Sequence, residues 1–127
     1  MSLIDPAIVG KSFQDLFEKL LKDPDKLIQA QVGFWKNYLD LWQAASERML
    51  GHEVQPVITP SPGDKRFKDE QWAENAVFDF IKQSYLLAAD SVQGLVRKVE
   101  GLDDKTARKV QFYTRQFVDA MAPTNFV

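Results

Sequence analysis

Cysteine is missing from this 127-residue chain and histidine occurs once, at His52. The first absence excludes disulfides, thiolate metal sites and a cysteine nucleophile within the chain. The second leaves any serine or thiol nucleophile without a conventional base, because His52 has no serine elbow to serve and no second ligand beside it. No HExxH, CxxC or calcium-loop pattern is present, and the six glycines are scattered instead of forming a phosphate-binding turn. Paired acids such as Asp69-Glu70 and Asp103-Asp104 fit helix starts and solvated faces better than acid catalysis. No catalytic residue, metal site or cofactor is expected.

Charge of one sign is lacking too. Six basic and eight acidic side chains precede Asp64, and ten of each follow from Asp64 onward, for a net charge of −2. Without a basic groove, the 12% aromatic content does not read as a base-stacking surface, so no nucleic-acid partner is expected. No apolar run approaches the ~18 residues of a membrane span, and Met1 to Gly10 lacks the basic start and apolar core of a secretory signal. A cytoplasmic protein is the simplest expectation.

What is present is helical periodicity. Asp5-Pro6 and Asp23-Pro24 are helix starts, an acid followed by proline, and the residues after them predict a short helix to about Lys22 and a long one closed by Gly51. On the long helix Leu27, Ile28, Phe34, Trp35, Tyr38, Leu41 and Trp42 share one side, and the whole apolar arc covers roughly 180° where a single packing stripe needs ~100°. Two neighbours clasping a core helix account for that width. So does an adhesive face for a partner helix, a second copy or a hydrophobic particle.

Residues 52–66 contain Pro56, Pro60 and Pro62 and predict an extended linker, across which the two halves can move. Beyond it Phe67 and Trp72 should anchor a loop or short helical turn. A helix from about Asn75 to Glu100 carries a main stripe from Val77 to Val99 and a second one of Phe80 and Leu87. A last helix begins at Asp103 or Asp104, with Val110, Phe117, Val118 and Met121 on its inward stripe, and stops at Pro123. The fold class is therefore all-α: about four main helices, two on each side of the proline-rich segment, the last pair an antiparallel hairpin.

From Pro56 onward the residues resemble the N-terminal domain of polyhydroxyalkanoate synthases, most nearly the class I enzymes. The resemblance lies in Asp64-Lys65-Arg66-Phe67, Trp72, Lys82-Gln83-Ser84-Tyr85-Leu86-Leu87, Phe112, Thr114-Arg115-Gln116 and the closing run Asp119 to Phe126. The first half matches more loosely and also looks like a phasin, the helical protein that coats polyester granules. The resemblance implies a following catalytic domain of α/β-hydrolase type, with the cysteine, histidine and aspartate that polymerise hydroxyacyl-CoA, and the stop at Phe126-Val127 is expected to be a truncation before it. For this chain it implies a supporting role in dimerisation, granule or phasin association, and activity of that domain, at granules in the cytoplasm. Residues 1–51 then form the granule- or partner-binding region, 52–66 the linker and 67–127 the helical part of the synthase domain. Trp72, Phe80, Leu87, Phe112, Asn125 and Phe126 are the expected contacts with the catalytic domain. A free-standing coat protein of phasin type is the alternative.

Overall fold

The computed structural model describes residues 5–126 as an all-α fold of five helices. They are α1 (Pro6–Lys22), α2 (Pro24–Met49), the single turn α3 (Gln71–Glu74), α4 (Ala76–Lys98) and α5 (Asp104–Ala120), followed by a 3-10 turn over Pro123–Asn125. The four long helices are those expected, two on each side of the prolines.

Local chemistry sets the boundaries. Asp5 accepts from the Ala7 N–H, Asn75 from those of Val77 and Phe78, and Asp103 from that of Thr106, so three helices begin on a side-chain cap. Gly51 and Gly101 take the left-handed backbone, with φ of 89° and 91°, where α2 and α4 give way to the next segment.

Antiparallel pairing of α4 and α5 follows from two contacts far apart along the hairpin: Tyr85 reaches Val118 near one end, and Val96 meets Val110 towards the other. The short α1 lies on this hairpin, placing Leu16 and Leu20 against Val96 and Val110, with Phe13, Leu95, Val99 and Leu102 around them. Each buried aliphatic side chain contributes about 1.5–3 kcal/mol. α2 runs along α4, and its Leu41 is 2% exposed.

The two halves therefore share packing, and residues 52–66 differ from the free linker that the prolines suggest. They contain no helix, yet the N–H groups of Val57 and Ile58 both donate to Gln83 Oε1, at 2.9 and 3.4 Å. Gln83 is buried and donates in turn to Asp79 at 2.7 Å. A tethered segment between packed helices leaves little room for the relative motion expected of the halves.

Candidate functional site

An uncovered apolar stripe on α2 is the main feature that the monomer leaves unexplained. Sequence periodicity gives α2 a wide apolar arc, and α4 covers only one edge of it. Leu41 is buried there, while Leu27, Phe34 and Tyr38 are half-buried. Ile28, Trp35, Leu39, Trp42 and Met49 remain more than half exposed. α1 could have covered them but packs on α4 and α5 instead, and its own Phe17 and Leu21 are exposed.

The exposed indoles are held in place. Trp35 stacks on Tyr38 at 6.0 Å and meets Phe34 edge-on at 5.5 Å. Trp42 meets Phe80 of α4 edge-on at 5.1 Å, and Tyr38 lies 6.3 Å from the same ring. An aromatic side chain already fixed by its neighbours loses little conformational entropy on docking, which suits it to anchor an interface. Beside Trp42 a groove of about 690 Å³ opens between the end of α2, residues 52–56 and the start of α4, lined by Leu41, Met49, Val54 and Phe80. Asp79 at its wall pairs with both Arg48 at 3.0 Å and Lys82 at 3.1 Å, while Arg48 also donates to the carbonyls of Ala73 and Glu74. The charged groups at that wall are thus largely occupied with one another.

On the opposite face of α4, segments distant in sequence converge on Arg66. Its guanidinium forms a fork with the Asp64 carboxylate, Nε to Oδ1 at 2.9 Å and Nη2 to Oδ2 at 2.7 Å. It donates to Tyr85 Oη at 2.8 Å, lies 3.6 Å from Asp119, and sits over the rings of Phe67 and Tyr85. Tyr85 Oη donates onward to the Val118 carbonyl at 2.8 Å. Arg66 holds the Asp64 carboxyl below its ordinary range, and Asp64 with Tyr85 raises the basicity of Arg66. Asn125 Nδ2 donates to the carbonyls of Asp119 and Ala120, closing the end of α5. Residues 64–67, Tyr85 and Asp119 to Asn125 thus form one structural clamp, a convergence that their separation in sequence conceals.

The residues singled out from sequence separate into three groups by exposure. Leu41, Trp72 and Leu87 are buried within this domain, at 2%, 7% and 6% exposure, so they pack its interior and are not available to another surface. Ile28, Trp35, Trp42, Phe112, Asn125 and Phe126 are exposed, and Leu27, Phe34, Tyr38 and Phe80 lie between. Exposed Leu39, Met49, Phe117 and Met121 were absent from the candidates, and 3.6-residue periodicity, which places Phe117 and Met121 inward, gave no sign of their exposure.

The sequence model of the poly-beta-hydroxybutyrate polymerase (PhaC) N-terminus matches residues 63–127, the stretch that contains the Arg66 clamp. The chain belongs to this family. A poly(3-hydroxyalkanoate) polymerase of Methylorubrum extorquens is 44% identical over 110 residues, covering 87% of this chain and 18% of the relative. A polymerase subunit PhaC of Rhizobium meliloti (strain 1021) is 39% identical over 117 residues, covering 92% and 19%. One of Cupriavidus necator is 34% identical over 104 residues, covering 82% and 16%. These alignments are too long to fit within residues 63–127, so the likeness to polymerases also takes in α2. The chain spans less than a fifth of the length of these relatives. No solved structure matches it. Among the described residues, no helix is long and apolar enough to cross a membrane.

Proposed function

We propose that this chain is the non-catalytic docking domain of a polyhydroxyalkanoate polymerase, supporting a polymerising domain that joins hydroxyacyl units from their CoA thioesters at the granule. The bare stripe on α2 carries this reading. Several large apolar side chains stay largely in water although full burial of such a side chain is worth about 1.5–3 kcal/mol and more than half of that remains to be gained, and two of them are indoles held in place by other rings.

In this reading the domain brings two surfaces to the polymerase. The α2 stripe engages an apolar partner at the granule. Phe112 and Phe126, exposed on α5 and beyond it, face the polymerising domain. The absence of cysteine and the single His52 support a role outside the chemistry. A free-standing phasin-type coat fits less well, since the relatives are polymerases and their likeness covers most of the chain.

The test is the double variant Trp35→Ala/Trp42→Ala in a polymerase carrying this domain. Its granule-bound fraction should fall several-fold while the helical content of the domain is kept, because both side chains are more than half exposed. An unchanged granule-bound fraction overturns the docking role.

A further inference from the structure

One sequence pattern occurs twice and has no part in the α2 stripe or the Arg66 clamp. Gln93-x-x-Val96-Arg97 on α4 returns as Gln111-x-x-Thr114-Arg115 on α5. Positions three and four apart share one face of a helix, and the antiparallel pairing of α4 and α5 sets the two runs side by side in opposite directions. Their six residues line one pocket of about 190 Å³ between the helices. Val96 and Thr114, side chains of nearly the same shape, are its most buried members at 7% and 6% exposure. Gln93 and Gln111 are half-buried, and the exposed Arg97 and Arg115 approach from opposite ends of the hairpin. The Arg97 guanidinium lies back along α4, with Nη2 3.8 Å from the point where a Cβ on Gly94 would sit.

The pocket offers hydrogen-bond donors and positive charge with no counter-charge. Guanidinium groups only donate, and the glutamine amides and the threonine hydroxyl can donate beside them. No carboxylate lines it. Among the described residues the ion pairs use Lys26, Arg48, Arg66 and Lys82, so Arg97 and Arg115 keep their charge unmatched. Asp119, one turn beyond Arg115, lies 3.6 Å from Arg66 instead. No side-chain hydrogen bond among these residues engages Gln93, Arg97, Gln111, Thr114 or Arg115. A buried polar side chain normally has a partner, and the Thr114 hydroxyl, within a pocket flanked by two arginines, points to one from outside the chain.

We propose that this pocket binds a phosphoryl group, gripped by the guanidinium forks of Arg97 and Arg115 with the Thr114 hydroxyl donating beneath it. A carboxylate fills one fork, whereas the oxygens of a phosphoryl group can accept from two. The volume is that of about six waters, room for the phosphoryl group and little else. Inorganic phosphate and the phosphate end of a larger molecule such as a CoA thioester therefore present the same chemistry to it. The site belongs to the α4–α5 hairpin and does not depend on the docking role of α2.

Backbone-amide NMR of the chain during titration with inorganic phosphate, with chloride holding the ionic strength constant, reads the site directly. Saturable shifts should centre on residues 93–97 and 111–115. Arg97→Gln and Arg115→Gln should each weaken binding about tenfold or more. Thr114→Val, which keeps the shape and removes the hydroxyl, should weaken it several-fold, and Lys36→Gln on α2 should leave it unchanged. Both arginines are exposed, so circular dichroism should show their variants as helical as the native chain. The same titration with CoA separates the two sources. Shifts of the same amides with the same arginine dependence identify a phosphate-bearing cofactor, and saturation by inorganic phosphate alone identifies a free anion. Shifts at these residues that are absent, that never saturate, or that survive both arginine substitutions overturn the site.

Discussion

Leu39 and Leu41 lie two positions apart on one helix and give opposite expectations. Leu41 is 2% exposed against α4, whereas Leu39 is 67% exposed on the stripe. Leucine and alanine differ little in helix propensity, so replacing either leaves α2 itself nearly unperturbed. Leu41→Ala removes buried methyl groups and opens a cavity, at a cost of about 2–5 kcal/mol. Leu39→Ala removes atoms already in water and should stay within about 0.5 kcal/mol. The difference of at least ~1.5 kcal/mol is more than tenfold in the folding equilibrium. Urea unfolding followed by circular dichroism reads this as a lower midpoint at unchanged slope for Leu41→Ala alone. The chain must be dilute enough that no self-association adds to the stability of the native protein. Equal losses for the two variants, or a greater loss for Leu39→Ala, would refute the placement of α2 on which the docking face depends.

Gln83→Ala takes the acceptor away from the Val57 and Ile58 N–H groups, so limited proteolysis should cut residues 52–66 faster while α4 and α5 stay intact. An unchanged cleavage rate would mean that the tether does not restrain this segment. Asp64 has a folded pKa below its unfolded value because of Arg66. Its stabilising contribution is therefore complete above pH ~4, the unfolded carboxylate range, and is lost as pH falls through the folded value. Asp64→Asn should lower stability at neutral pH, with the gap to the native chain closing as the solution is acidified below pH ~4. A gap that persists unchanged in acid would contradict the Asp64–Arg66 linkage.

Much of the fold was legible because its signals are local. Proline after an acid and glycine at two helix ends marked α1, α2 and the end of α4 to within a few residues, and Asn75 and Asp103 sit at the predicted starts of α4 and α5. Coverage was not legible. Val77, Val92, Phe117 and Met121 read as inward residues on their stripes but are 65%, 46%, 66% and 53% exposed, since a periodic stripe records which side is apolar and not whether a neighbour spans its whole length. For the same reason Leu41, Trp72 and Leu87 looked available to other surfaces and are instead internal packing. The Arg66 clamp was visible only as separate runs around Asp64, Tyr85 and Asp119, because nothing local says that they meet on the face of the α4–α5 hairpin.

Hydroxyl-radical footprinting of Trp35, Trp42 and Met49 tests the docking role most directly, comparing the dilute chain with the polymerase that carries it on granules. All three side chains should be readily oxidised in the dilute chain, in keeping with exposures of 58%, 54% and 83%, and strongly protected in the assembled particle. Equal oxidation in the two states would contradict the claim that α2 is the face through which this domain docks.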